Sequence, residues 1–100
     1  MGWNPPLLRG GGCQCSPDEE TTLAVVNAFH RGAARPLVVL LLDEDRLTAR
    51  CLWEAAEPAP PPGVADGTLF PHVFGPVDRA AVQRVLEVRW DDEGRATGLF

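Results

Sequence analysis

Seven residues constrain this chain more than any others: Phe70-Pro71-His72-Val73-Phe74-Gly75-Pro76. Pro71, Gly75 and Pro76 exclude a helix here, because proline lacks an amide donor and its ring clashes with the preceding turn. What they leave room for is a brief strand over His72-Val73-Phe74, ended by Gly75-Pro76. In a strand, His72 and Phe74 share one face and Val73 takes the other. The rest of the chain reads as scaffold leading into this stretch and a return into a sheet after it.

With 100 residues there is room for one domain and one modest core. Met1 to Cys15 reads as irregular, because Pro5-Pro6 and Gly10-Gly11-Gly12 interrupt any regular pattern. A single domain is expected from residue 16 to residue 100. It opens on a helix spanning Ser16 to Arg31, with Ser16-Pro17-Asp18-Glu19 as its capping box and Gly32 as its stop. Leu23, Val26 and Phe29 recur at helical spacing and are expected to face a sheet. Leu37 to Leu42 is a continuous apolar run, the pattern of a central strand buried on both faces. Asp43 to Arg46 reads as a turn with Leu47 tucked beneath it, and Arg50 to Glu54 as a second strand. Four prolines between Glu57 and Gly67 bar sheet pairing and favour an extended loop; the P-x-x-P spacing of Pro58 to Pro61 reads as part of that loop. Asp78 is expected to cap a helical turn over Arg79-Ala80-Ala81. Leu86, Val88 and Trp90 alternate with Glu87 and Arg89, a strand period. Asp91 to Gly94 makes a turn, and Arg95 to Phe100 returns as the second arm of a hairpin. The fold class is therefore α+β: a small, split, mainly antiparallel sheet with one main helix.

The formal charge of −5 argues against non-specific nucleic-acid binding, which depends on Lys and Arg contacts to phosphates. Cys13, Cys15 and Cys51 are an odd number and do not form a secreted-type disulfide framework. Cys13 and Cys15 are one residue apart with no nearby histidine, so no metal site is assigned. No charged segment leads into a long apolar run, and Pro6 stands where a myristoylation signal needs Ser or Thr. The expectation is a cytoplasmic chain with reduced thiols and no membrane association.

Two residues could carry chemistry. Glu54 follows Trp53 at a strand end, where an indole could desolvate the carboxylate or the carboxylate could take a pair of hydroxyls; a solvated loop-edge glutamate is the alternative. His72 could donate to a phosphate, ribose or carbonyl oxygen, or instead lock the loop through a backbone carbonyl. The backbone of Gly75 could approach a ligand closely. Ser16 stands at a helix start, where its hydroxyl caps the helix or the free amides hold an anion.

The order of these motifs is familiar. Asn27-Ala28-Phe29-His30-Arg31-Gly32, Leu37 to Asp43, Arg46-Leu47, Trp53-Glu54 and Phe70 to Pro76 together resemble the small bacterial family called domain of unknown function 952. The resemblance covers about Cys15 to Gly94. It implies a fold like that of the ADP-ribosyltransferases and RNA 2′-phosphotransferases, and by analogy of fold a nucleotide-type ligand such as NAD or an ADP-ribose-like group. It also implies a cleft lined by Ser16, Trp53, Glu54, His72, Phe74 and Gly75. There Glu54 and His72 stand at the catalytic positions, and Trp53 or Phe74 stacks a base. The sequence departs from the family in two places. No N-terminal strand with an aromatic-His pair precedes the helix, and Gln14 stands where a histidine belongs. The expectation is therefore a ligand-binding domain with weak or no transferase activity. The alternative is a non-enzymatic protein-interaction module using the surface left by the missing N-terminal elements. An exposed sheet edge would also allow a homodimer.

Overall fold

The helix forms where expected, but Asp18 rather than Ser16 caps it. In a computed structural model, which describes residues 12–56 and 59–100, the elements run β1 (Gly12–Gln14), α1 (Glu19–Phe29), β2 (Val38–Leu42), β3 (Arg50–Ala55), β4 (Leu69–Phe74), β5 (Val82–Trp90) and β6 (Ala96–Leu99). The Asp18 carboxylate accepts from the Thr21 amide at 2.7 Å. Ser16 cannot take that role, because the Cys15 amide donates to the Pro71 carbonyl at 2.7 Å and holds the chain against β4 one residue past β1. Ser16 is consequently buried, and the helix starts only after Pro17. At the other end the His30 amide makes the last helical bond, to the Val26 carbonyl, and His30 leaves helical geometry with a φ of −128°, so α1 stops short of the expected Arg31.

The strands form two three-stranded antiparallel sheets, ordered β2-β5-β6 and β1-β4-β3. An α+β fold with a split antiparallel sheet is what the sequence implies. Three expectations change in detail. Leu37 to Leu42 is not a central strand: β2 is an edge, and β5 is the centre of its sheet. Val39 is fully buried but Val38 is 43% exposed, because only one face of the sheet is covered. Phe29 does not face the sheet and is 68% exposed. The covered stripe of α1 runs through Thr22, Leu23, Val26 and Asn27, which puts Phe29 and Val25 on its flank. Gly12 to Gln14, expected to be irregular, forms an edge strand on β4. Trp3, Leu7 and Leu8 lie outside the described residues, as do Glu57 and Pro58 of the proline loop.

The first core joins α1 to its sheet through Val26, Val39, Val88 and Ala96, with Leu23, Leu37, Trp90 and Leu99 around them. Asn27 completes this junction. Its side-chain amide donates to the Ala96 carbonyl at 3.0 Å, and its oxygen accepts from the Ala96 amide at 2.8 Å. Those backbone groups of an edge strand are thus satisfied without another strand. The β5–β6 turn is held by Asp91, whose carboxylate accepts from the amides of Glu93 and Arg95. Gly94 supplies the positive φ of +76° that the turn needs. Arg31 donates to the carbonyls of Glu93 and Gly94 and ties the helix end to this turn.

The second core lies under the β1-β4-β3 sheet. Cys13, Cys15 and Val73 are buried there against Leu42, Leu47, Ala49 and Cys51. Leu47 tucks in as expected, beneath a 3-10 turn over Glu44–Arg46. Asp78 precedes the 3-10 turn Arg79–Ala81, but its carboxylate does not cap it; it accepts instead from the amide and hydroxyl of Thr48. Pro71 occupies the central strand, where proline is rare because it cannot donate to a ladder. Its backbone faces the β1 side, where its carbonyl takes the Cys15 amide. The bond it cannot make falls past the last paired residue of β1, so the omission costs little.

Candidate functional site

Strand alternation and register decide which side chains can meet. Gln14 and Leu52 both lie opposite His72, Glu54 lies opposite Phe70, and Gly12 and Arg50 lie opposite Phe74. One face of the β1-β4-β3 sheet therefore carries Gln14, Glu54, Phe70, His72 and Phe74. The other face carries Cys13, Cys51, Trp53, Pro71 and Val73 and meets the core.

On the first face, Glu54 Oε1 and His72 Nδ1 stand 3.2 Å apart, a diagonal pair across the β3–β4 ladder. The Phe74 ring stacks on the imidazole, with centroids 4.1 Å apart and planes 13° from parallel. The hydrogen bond to Glu54 engages Nδ1 and turns Nε2 away from the carboxylate. The pair borders a hollow of about 300 Å³ lined by Gln14, Glu54, Ala55, Phe70 and His72. A second hollow, of about 350 Å³, shares Gln14 and Phe70 with the first. Its walls are mostly apolar and include Val25, Phe29, Pro61 and the buried Ser16, with His30 at one side. Burial lowers the pKa of His30 and favours its neutral ring, which can both donate and accept. Side by side, the two hollows offer an apolar slot next to a carboxylate–imidazole pair.

Trp53 does not belong to this arrangement. Adjacent in sequence to Glu54, it points to the opposite face, and its Nε1 donates to Glu44 Oε2 at 3.0 Å. Near it a small hollow of about 50 Å³ is bordered by Cys15, Ser16, Glu44, Cys51 and Trp53. It has room for little more than a water molecule. Burial, reinforced by the Glu44 carboxylate, pushes the Cys51 thiol up to about 11, so no thiolate nucleophile is poised there. Cys13 and Cys15 lie with their sulfurs 3.8 Å apart on the core face. Among the described residues, no group of three His, Cys, Asp or Glu side chains converges as metal ligands. Gly75 serves packing: a Cβ there would sit 2.9 Å from Ala49 Cβ. It lines neither hollow.

Of the six residues the sequence singles out, then, Glu54, His72 and Phe74 share one face, Ser16 lines the neighbouring hollow, and Trp53 and Gly75 point elsewhere. Phe70, Val25, Phe29 and His30 are lining residues for which the sequence implies no individual ligand role. The signal that could have placed Phe70 is the β4 alternation, carried two residues back from His72.

A family model described as Protein of unknown function (DUF952) matches residues 13–85, a span that holds every residue of both hollows. Neither the curated proteins nor the solved structures contain a match to this chain.

Proposed function

The chain belongs to the DUF952 family, and we propose that it is a small-molecule binding domain for a nucleotide or ADP-ribose-like ligand. The observation that carries this reading is the Glu54–His72 pair, 3.2 Å apart at the edge of a polar hollow that adjoins an apolar one. A ligand with an aromatic base, a ribose and a phosphate presents that same sequence of surfaces. The base would enter the slot between Val25, Phe29 and Phe70. Glu54 would accept from ribose hydroxyls, and His72 Nε2 would meet a phosphate oxygen, with the imidazole plane set by Glu54 on one side and Phe74 on the other. Ser16 borders the slot and offers a hydroxyl to the base or ribose.

The split pair of antiparallel sheets is compatible with an ADP-ribosylation-like fold, which is part of this proposal. Glu54 and His72 are the only residues to which chemistry is assigned, as proton acceptor and donor. With Gln14 opposite His72 in place of a titratable imidazole, the reading is binding with little or no transferase activity. The proposed location is the cytoplasm, in keeping with an odd number of cysteines in the sequence. Among the described residues, no helix is long and apolar enough to cross a membrane.

Isothermal titration of the folded chain with NAD, ADP-ribose and a 2′-phosphorylated ribonucleotide tests the proposal. Saturable binding of at least one, weakened by Glu54→Ala and by His72→Ala but not by Trp53→Phe, is the expected result. No saturable heat from any of the three would overturn it.

A further inference from the structure

β3 is an edge strand, and five of its six residues are exposed. Its backbone directions follow from Pro71. The Pro71 carbonyl meets the Cys15 amide, so the polar groups of Pro71 point toward β1 and those of His72, one residue on, point toward β3. Leu52, opposite His72, therefore spends its amide and carbonyl on β4. The amides and carbonyls of Cys51, Trp53 and Ala55 turn outward, and no backbone hydrogen bond to them appears among the described residues. The edge of β6, by contrast, is closed at Ala96 by the Asn27 side chain.

This open edge is complementary to itself. Arg50 and Glu54 lie on the same face, two residues to either side of Leu52. When a strand pairs antiparallel with a copy of itself about Leu52, Arg50 falls opposite Glu54, Cys51 opposite Trp53, and Leu52 opposite Leu52. The outward amides and carbonyls of Cys51 and Trp53 then meet their counterparts in hydrogen-bonded pairs. The Arg50–Glu54 and Leu52–Leu52 positions become the closer, non-hydrogen-bonded pairs, where side chains interact most strongly. Within one chain, Arg50 has no ion-pair partner among the described residues.

We propose that two copies of this chain pair through β3 about a two-fold axis at Leu52, placing Arg50 of the partner subunit beside each Glu54–His72 pair. The two β1-β4-β3 sheets become one six-stranded sheet, and an exposed edge that invites uncontrolled pairing is closed. The pairing stands on edge geometry and charge alone. That Arg50 of the partner subunit also supplies a cation for a ligand phosphate rests on the function proposed above.

Sedimentation of the full chain without ligand, over a range of concentrations, tests the pairing independently of ligand binding. The expected result is a monomer–dimer equilibrium. Arg50→Glu or Glu54→Arg alone sets like charges opposite each other at both ends of the register and should raise the dissociation constant about tenfold. The combined swap, Arg50→Glu with Glu54→Arg, restores opposite charges and the parental constant. As a second route, Leu52→Cys should give a disulfide-linked dimer on mild oxidation, because residues at that type of pair have Cα atoms about 4.5 Å apart. Val85→Cys, exposed on the other sheet, should not. A monomer at every concentration, failure of the swap to restore association, or no selective cross-link through position 52 overturns the proposal. A β3 edge that serves a strand of some other protein would give the first of these results.

Discussion

His72 Nδ1 lies 3.2 Å from Glu54 Oε1 across the β3–β4 ladder, and both side chains are partly open to solvent. A side-chain contact so exposed contributes little to folding, of the order of 0–1 kcal/mol. His72→Ala and Glu54→Ala should therefore leave the urea midpoint nearly unchanged. Each should lower ADP-ribose affinity about tenfold or more, the scale of a lost hydrogen bond to a charged group. Because Glu54 also orients the His72 imidazole, the loss in the double variant should be smaller than the sum of the two single losses. Lost stability with unchanged affinity would instead make His72 a scaffold residue.

Gly75, at the end of β4, leaves no room for a side chain beside Ala49. A Cβ at position 75 would come within 2.9 Å of Ala49 Cβ, closer than two such carbons approach in folded proteins. Gly75→Ala should destabilise the fold by roughly 1–3 kcal/mol. Adding Ala49→Gly should recover part of that loss, because it removes the opposing methyl. Ligand affinity of the folded variant should not change. Denaturant melts of the single and paired variants, with titrations alongside, separate packing from binding.

Asn27 joins α1 to β6 by two reciprocal hydrogen bonds to Ala96. Asn27→Ala leaves both backbone groups without that partner at a partly buried junction, at a cost of roughly 1–3 kcal/mol. Asn27→Asp keeps the acceptor but replaces the donor with an oxygen facing the Ala96 carbonyl. It should be at least as damaging at pH 7. Thermal melts of the two variants check the order.

Where residues face two different environments in alternation, the sequence is transparent. Leu86, Val88 and Trp90 against Glu87 and Arg89 mark β5, and Asp91 to Gly94 marks its turn, because one face of that sheet is covered and the other open. Leu37 to Leu42 misleads for the opposite reason. Leucine and valine occupy its open face as well, so burial on both faces is inferred where there is burial on one. The helix cap is displaced because Ser16 and Asp18 both suit a cap, and the choice is made by a distant contact, Cys15 to Pro71. The same contact fixes β1, whose three residues are too few for any periodic signal. At the site, Glu54 and His72 are legible as polar residues at strand ends, but their meeting depends on register. Trp53 shows the limit of adjacency: the pleat sends it away from Glu54, its neighbour in sequence.

Acid should destabilise the chain through three hydrogen-bonded aspartates. Hydrogen bonds from Thr21 hold the Asp18 carboxyl below the usual range; those from Thr48 do so for Asp78, and that from Arg95 leads for Asp91. A carboxyl depressed in the folded state stabilises it fully above its unfolded pKa of about 4, and that contribution is lost as pH falls through the folded value. Stability should therefore begin to fall below about pH 6.5, where burial keeps His30 neutral in the folded chain, and decline further below about pH 4 as these carboxyls protonate. Asn also caps helices well, so Asp18→Asn should fold at pH 7 but lose part of this decline. Urea melts between neutral and acidic pH check the slope.

Cys51 sets the behaviour at the alkaline end. Burial, with Glu44 beside it, pushes its thiol up to about 11. Because a raised thiol pKa favours the protonated form in the folded state, stability should fall as pH rises from about 9 through that value. Alkylation depends on the thiolate, so Cys51 should react slowly with iodoacetamide at pH 8 even though it is partly exposed. Glu44→Gln removes the adjacent charge and should speed the reaction several-fold. It should not reach the rate of an unfolded thiol, because burial, the largest single cause, remains. Mass spectrometry of the modified peptides assigns the rate to Cys51. A rate unmoved by Glu44→Gln would rule out Glu44 as a cause, and would mean that it spends its charge on the Trp53 indole alone.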